Sequence, residues 1–101
     1  MYIAMNRFRI KRGEESRFEQ IWRDRETFLD SVPGFESFNL LRGPEAEDHT
    51  LYASHTVWQD KAAFIAWTGS EQFRKAHANA ASSPKDIYLG APQIEGFESI
   101  L

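Results

Sequence analysis

Residues 50–67 read TLYASHTVWQDKAAFIAW and combine two periodicities of apolar side chains. The first part alternates, which predicts a strand over 50–57. The residues on one face of this strand are Leu51, Ala53, His55 and Val57. Asp60 then precedes an apolar run that does not alternate, and it is a suitable N-cap for a short helix through Trp67. The stretch therefore predicts a strand followed directly by a helix.

Three elements are predicted upstream of this unit. A polar, acidic connection over 43–49 joins it to a second strand over 35–41. Apolar residues at helical spacing predict one amphipathic helix over 14–31, which ends at Val32-Pro33-Gly34 because proline disfavours helix in the residue before it. Residues 2–10 alternate and predict the first strand. The face of that strand expected to lie under the helices carries Tyr2, Ala4, Asn6, Phe8 and Ile10.

Downstream, Gly69 interrupts the helical pattern and Ser70 can cap a further short helix. This helix carries Phe73, Ala76 and His77. A long loop is predicted over 79–92, a length that is often functional. A last strand is predicted over 93–101.

The predicted order is strand, helix, strand, strand, helix, strand. This order is typical of the ferredoxin-like α+β fold, a split βαββαβ arrangement with helices on one face of an antiparallel sheet. The chain of 101 residues is expected to form a single domain over 1–101. The uncovered sheet face is expected to carry Ile3, Met5 and, depending on register, Phe97 and Leu101 or their neighbours. Such an apolar face predicts a homodimer in which two sheets form a dimeric α+β barrel.

The composition excludes several classes of protein. A net charge of −3 with mixed acids and bases disfavours a nucleic-acid partner. No apolar run approaches the roughly 20 residues that cross a bilayer, so no membrane association is expected. The chain has no cysteine, which rules out thiolate metal sites and favours a cytoplasmic location. Gly-rich phosphate loops, His-x-x-x-His pairs and Gly-x-Ser-x-Gly elbows are also absent from the sequence.

Three histidines are candidate ligands, and their surroundings differ. His49 lies in the acidic connection and is expected to be solvated. His55 shares a strand face with apolar residues, which favours a core or interface position over a ligand role. His77 follows Phe73 by four residues, so both side chains project from one face of the predicted helix. Spacing alone leaves both a structural role and a ligand role open for His77.

Three other side chains also have alternative interpretations. Asn6 lies on the covered face of the first strand. Its amide either forms hydrogen bonds with neighbouring backbone groups or directs its N–H donors into a pocket. Arg25 follows Phe18 by seven residues, which places it on the apolar side of the predicted helix. Either its aliphatic carbons pack there while the guanidinium lies in solvent, or the guanidinium binds a carboxylate of a ligand. Trp67 is either a core residue or a platform for a ligand. An aromatic content of 14% would suit a pocket for a large flat molecule.

Four segments together resemble a known family. They are Met5-Asn6-Arg7-Phe8, Val32-Pro33-Gly34-Phe35, Phe64-Ile65-Ala66-Trp67 and Phe73-Arg74-Lys75-Ala76-His77. The chain is similar over nearly its whole length to the heme-degrading monooxygenases, the small heme oxygenases of bacterial iron acquisition, within the antibiotic biosynthesis monooxygenase superfamily. The combination of Asn6, Trp67 and His77 marks the heme-degrading branch more specifically than the other segments do.

This resemblance implies a mechanism. His77 would ligate the heme iron through a neutral imidazole nitrogen, and Asn6 would donate a hydrogen bond to dioxygen on the opposite side. Trp67 would press the porphyrin out of plane. Heme would be both cofactor and substrate, and O2 with an external electron donor, a reductase or a small reductant, would open the ring and release iron with an open-chain tetrapyrrole. Arg25 or Arg23 would pair with a heme propionate.

Three other functions compete with this one. A cofactor-free monooxygenase acting on a polycyclic aromatic substrate, also found in the superfamily, would need no iron ligand. A heme carrier or sensor would need His77 but not Asn6. A dimeric small-molecule-binding module would not bind hemin at all.

Overall fold

The computed structural model describes residues 1–25, 28–71, 73–75 and 86–101. Within them, four strands form one antiparallel sheet in the order β2-β3-β1-β4. The elements, in chain order, are β1 (Tyr2–Lys11), α1 (Glu15–Asp24), a 3-10 turn (Leu29–Ser31), β2 (Phe35–Glu45), β3 (His49–Trp58), α2 (Lys61–Thr68) and β4 (Gln93–Glu98). This confirms the ferredoxin-like α+β fold. None of the helices in these ranges is long and apolar enough to cross a membrane.

The alternation of β1 decides which side chains lie under the helices. Four side chains of its covered face are buried, and they are Tyr2, Ala4, Phe8 and Ile10. Asn6 lies on the same face but is only half-buried. The opposite face of β1 carries Ile3 and Met5, and across the register it continues into Val57 and His55 of β3 and Phe97 of β4. The predicted faces of β1 and β3 are therefore both confirmed.

The core between helices and sheet consists of two clusters of buried side chains. The first cluster consists of Tyr2, Ala4, Leu29, Val32, Trp58 and Phe64. The second consists of Phe8, Ile10, Phe18, Tyr52 and Ile87. Since Ala4 belongs to one cluster and Phe8 to the other, Asn6 occupies the position of β1 between them.

The prediction of one helix over 14–31 is wrong in its second half. Helix α1 ends at Asp24, Arg25 is extended (φ −79°, ψ 131°) and Phe28 is left-handed (φ 59°). The chain turns here because Leu29, in the 3-10 turn, is buried in the first cluster, and that tertiary burial overrides the local helical spacing. Arg25 therefore follows the helix instead of lying on its apolar side.

Two other boundaries also differ from the prediction. Strand β2 continues to Glu45 instead of ending at Leu41, because Arg42 pairs with Tyr52 and Glu45 pairs with Thr50. This shortens the acidic connection and places His49 at the start of β3. Strand β4 ends at Glu98, so the prediction that Leu101 lies on the sheet face is wrong. Part of the loop predicted over 79–92 lies outside the described residues, and Ile87 within it is fully buried.

Two carboxylates of helix α1, those of Glu15 and Glu19, accept hydrogen bonds from side chains of β3. The Tyr52 hydroxyl donates a hydrogen bond to Glu19, and Arg42 lies 3.1 Å from the same carboxylate. The Thr50 hydroxyl donates to Glu15 at 2.8 Å. These hydrogen bonds hold the pKa of Glu19 and of Glu15 below the usual value of 4.5, mainly through Tyr52 and Thr50 respectively.

We expect these carboxylates to make the fold sensitive to acid. A carboxyl whose pKa is lower in the folded state stabilises the fold above its unfolded pKa, and this contribution is lost as pH falls through the folded pKa. The free energy of unfolding should therefore decrease as pH falls below about 4.5. Urea denaturation at a series of pH values should show a shallower decrease for Glu19→Gln and an unchanged one for Glu36→Gln, which alters an exposed carboxylate of β2. Equal decreases in all three proteins would contradict this account.

Candidate functional site

A cavity of about 600 Å³ lies between the sheet and the helix layer, bordered by both core clusters. Its volume is within the range of about 300–1,000 Å³ that is usual for small-molecule sites. Its walls are mostly apolar and aromatic, and they include Phe8, Phe38, Phe64 and Phe73. A few polar groups interrupt this lining, which is the usual composition of a site that orients a largely apolar ligand.

Asn6 places an amide on the sheet side of this cavity, opposite Ser54 of β3. The Oδ1 atom of Asn6 is buried and accepts no hydrogen bond within the described part of the chain. A buried polar atom without a partner costs about 1–3 kcal/mol. The amide of Asn6 therefore does not serve to tie down neighbouring backbone, and its position suits contact with a ligand.

Trp67 contributes an indole from the end of α2. The helix begins as predicted, since the Asp60 side chain accepts a hydrogen bond from the Ala63 N–H at 2.8 Å. After the helix, the Ser70 hydroxyl accepts from the Phe73 N–H at 3.1 Å, which confirms the predicted second cap. The Trp67 ring contacts Trp58 on one side and Phe73 on another, with centroid distances of 5.3 and 4.8 Å. These ring contacts fix the position of the Trp67 indole in the cavity wall.

Arg25 places a guanidinium at the cavity, over the ring of Trp22. Its Cζ atom lies 4.1 Å from the Trp22 ring centroid, a cation–π distance. No carboxylate in the described ranges forms an ion pair with Arg25, and burial lowers the pKa of its guanidinium. Arg23, the other arginine predicted near a propionate, is exposed and paired with Glu19 at 3.3 Å. It does not line the cavity.

The structure thus brings Asn6, Trp67 and Arg25 to one cavity from three separate parts of the chain. His77 lies outside the described residues. His55 lies on the opposite face of the sheet, paired with Met5 in register, and His49 hydrogen-bonds to Asp48 at 2.7 Å. Neither of these two histidines lines the cavity.

Among the cavity residues that the sequence did not indicate are two aromatic side chains with a hydrogen-bond donor, Trp22 and Tyr88. Trp22 belongs to the apolar spacing of α1, and its position three residues before Arg25 could have indicated a shared surface. Its Nε1 is buried and donates to no group in the described ranges. Tyr88 lies in a stretch without periodicity, so no pattern pointed to it. Burial raises the pKa of its hydroxyl, which lies near Arg25.

The chain matches a known family and several characterised proteins. Residues 1–79 match the family model described as antibiotic biosynthesis monooxygenase. A heme-degrading monooxygenase of Shouchella clausii is 32% identical over 94 residues, with 89% of this chain and 82% of that protein covered. A mycobilin-producing heme oxygenase of Mycobacterium tuberculosis is 28% identical over 99 residues, with 98% and 89% covered. The solved structure of the heme-degrader MhuD from Mycobacterium tuberculosis, with two hemes bound in its active site, superimposes with a TM-score of 0.74 at 25% identity, covering 100% of this chain and 97% of MhuD.

Proposed function

Because the chain belongs to the antibiotic biosynthesis monooxygenase family, we propose that it is a heme-degrading monooxygenase. Heme would bind in the cavity between the helices and the sheet. The observation that carries this proposal is an aromatic cavity of about 600 Å³ that combines the Trp67 indole with the partnerless amide oxygen of Asn6. The two relatives that are 32% and 28% identical bear names of the same activity.

The residues present fit a porphyrin. Its large apolar ring would contact the aromatic walls, and its carboxylates would meet the guanidinium of Arg25, which forms no ion pair within the described ranges. His77 is proposed as the axial ligand of the iron from the family resemblance. The bound heme would supply both the iron that activates O2 and the ring that is opened, with electrons from an external donor, either a reductase or a small reductant.

Asn6 and Trp67 have separate roles in this proposal. The Nδ2 group of Asn6 would donate hydrogen bonds at the reacting side of the ligand, where developing negative charge is stabilised by a donor already in place, whereas Oδ1 could only accept. Trp67 would set the shape of the bound ring. Its indole packs against the fully buried Trp58, which prevents the indole from moving away from the ligand. The apolar lining would exclude water from the reacting centre.

Hemin titration tests the binding half of the proposal. We expect a saturable Soret band from the complex and, for His77→Ala, a shifted band with weaker affinity, because the imidazole ligand is lost. His49→Ala is the matched control, since His49 is the first residue of β3 and lies outside the cavity. A wild-type protein that leaves the hemin spectrum unchanged would rule out the proposal and favour a module for other small molecules.

Arg25→Ala should weaken hemin binding about tenfold. The reason is that a charge-assisted hydrogen bond to a partly buried carboxylate contributes about 1.5–3 kcal/mol. The dissociation constant is measured by the same titration, with Arg23→Ala as the control because Arg23 is exposed and outside the cavity. Equal affinities for the Arg25 and Arg23 variants would remove Arg25 from the site.

We also propose that the protein is a homodimer through the sheet face opposite the helices. This face carries a row of apolar side chains across three strands, since Ile3 pairs with Phe97 on one side and with Val57 on the other. Phe97 and Leu41 on this face are 48% and 41% exposed. An apolar surface of this kind indicates a partner, and a second copy of the same face is complementary to it in a symmetric dimer.

Phe97→Glu should convert the dimer to a monomer. A charge at the β4 end of the apolar row would be buried without a partner in the dimer, which is strongly unfavourable. Light scattering or sedimentation should give half the wild-type mass for this variant and the full mass for Ile65→Glu. Ile65 is the matched control because it is 54% exposed but lies on α2. A monomeric wild-type protein would contradict the proposal.

A further inference from the structure

One end of the cavity holds three hydrogen-bond donors, and no acceptor among the described residues pairs with them. Trp22 Nε1 is buried and donates to no group of the described chain. Arg25 and Tyr88 are half-buried, and in the described ranges Arg25 forms no ion pair and the Tyr88 hydroxyl has no hydrogen-bond partner. All three residues line the cavity. A buried donor without an acceptor, such as Trp22 Nε1, indicates that an acceptor comes from outside the described residues.

Tyr88 is held in place by backbone contacts. Its residue forms a bridge with Ile10, and the neighbouring Ile87 and Leu89 hydrogen-bond to Lys11 and Arg9 of β1 at 2.8 and 2.9 Å. The ring then packs against Phe8 and Phe18, with centroid distances of 6.3 and 6.0 Å. The hydroxyl is therefore positioned before any ligand arrives, which lowers the entropic cost of binding.

The side chain of Trp22, which belongs to α1, is also fixed in position by its ring contacts. Its ring stacks on Phe38 at 5.6 Å and meets the edges of Phe8 and Phe18 at 5.9 and 6.3 Å. Arg25 lies over this ring, and a guanidinium bound through a cation–π contact keeps all of its N–H donors available. Phe8 contacts both Trp22 and Tyr88, so the two donors flank one aromatic side chain.

We propose that Trp22, Arg25 and Tyr88 form a carboxylate-binding site, and that Tyr88 makes the cavity selective for a porphyrin with a free acid over its ester. This rests on the proposed function. A carboxylate suits the site because it only accepts hydrogen bonds, offers about four acceptor positions and carries one negative charge against the one cation. The hydroxyl of Tyr88 is a donor at neutral pH because the usual pKa of a tyrosine is about 10, and burial raises the pKa of Tyr88 further.

An ester at this position would be bound more weakly. It lacks the negative charge, its alkyl group occupies space beside the donors, and some of the three donors would stay without partners. We expect the wild-type protein to bind hemin about 10- to 100-fold more tightly than hemin dimethyl ester. The iron and the ring are the same in both compounds, so axial ligation contributes equally to each and cancels in the ratio.

The test measures dissociation constants of hemin and of its dimethyl ester for four proteins, by quenching of tryptophan fluorescence. The proteins are the wild type, Tyr88→Phe, Trp22→Phe and the control Tyr2→Phe. Tyr2 is a buried tyrosine of β1 that does not line the cavity. Tyr88→Phe and Tyr2→Phe keep the packed ring and remove only the hydroxyl, whereas Trp22→Phe removes the N–H together with part of the ring that packs on Phe38 and Arg25. We expect the ratio of the two dissociation constants, ester over acid, to fall at least threefold in Tyr88→Phe and Trp22→Phe. The fall should come from weaker binding of hemin, with the affinity for the ester unchanged. The ratio should stay the same in Tyr2→Phe.

Two results would overturn the inference and leave the proposed function intact: a wild-type protein that binds acid and ester equally, or a Tyr88→Phe variant that weakens both compounds by the same factor. The second result would assign Tyr88 to packing. A wild-type protein that binds neither porphyrin would overturn the proposed function and this inference together. Melting temperatures of the variants within a few degrees of wild type establish that the comparison is made on folded protein.

Discussion

Asn6→Ala is expected to bind hemin about as tightly as the wild type but to degrade it about 10²- to 10³-fold more slowly. This is the effect of removing one donor that stabilises developing charge in a water-excluded site. The ground-state complex depends on the aromatic walls and on the axial ligand, which this substitution leaves in place. The rate is measured as Soret decay after a reductant is added under air, at hemin concentrations that saturate the protein.

The same variant should keep or increase its stability without ligand. Asn6 Oδ1 is buried with no donor in the described residues, and removing such an atom relieves a cost of about 1–3 kcal/mol. A residue with a structural role would behave in the opposite way. Ser54→Ala is the matched control, because Ser54 lies directly opposite Asn6 and lines the same cavity. Wild-type degradation by Asn6→Ala would remove Asn6 from the reaction.

Phe18→Ala is expected to lower the free energy of unfolding by about 3–5 kcal/mol. Phe18 is the one side chain of α1 that is fully buried, and its ring contacts Tyr52, Phe8 and Tyr88 at 4.8, 5.4 and 6.0 Å. Truncation leaves a void where α1 meets the sheet, and it removes the packing that positions both Trp22 and Tyr88 beside the cavity. We therefore expect weaker hemin binding as a secondary effect.

For a domain of this size, such a loss corresponds to a decrease in melting temperature of more than about 10 °C. Thermal and urea denaturation give the measurement. Ser16→Ala on the exposed side of the same helix is the control and should change stability by less than about 0.5 kcal/mol. A Phe18→Ala variant as stable as Ser16→Ala would show that α1 is not anchored through this ring.

The strands and the second helix could be predicted because their signals are local. The alternation over residues 2–10 identified the buried face of β1, and Asp60 is the N-cap that its position indicated. The end of α1 could not be predicted in this way. No glycine or proline lies between Asp24 and Val32, and the turn arises because Leu29 is buried in a distant cluster. Helical spacing alone contains no information on that competition.

The site was predicted only in part, for a related reason. Asn6 and Trp67 belong to regular elements, so their faces followed from the pattern, and both line the cavity. Arg25 also reaches the cavity, although from an extended residue after the helix, where its guanidinium lies over Trp22. Tyr88 is placed by non-local backbone contacts with β1, which no sequence period reveals.

The central claim is that the cavity of this protein opens the heme ring. The most direct measurement mixes the protein with hemin, adds ascorbate under air, and follows the Soret band together with the iron captured by a ferrous chelator. We expect the band to decay and chelatable iron to appear in equal amount, with neither change under nitrogen. A Soret band that persists in air, with no iron released, would contradict the claim and leave a heme-binding protein without catalysis.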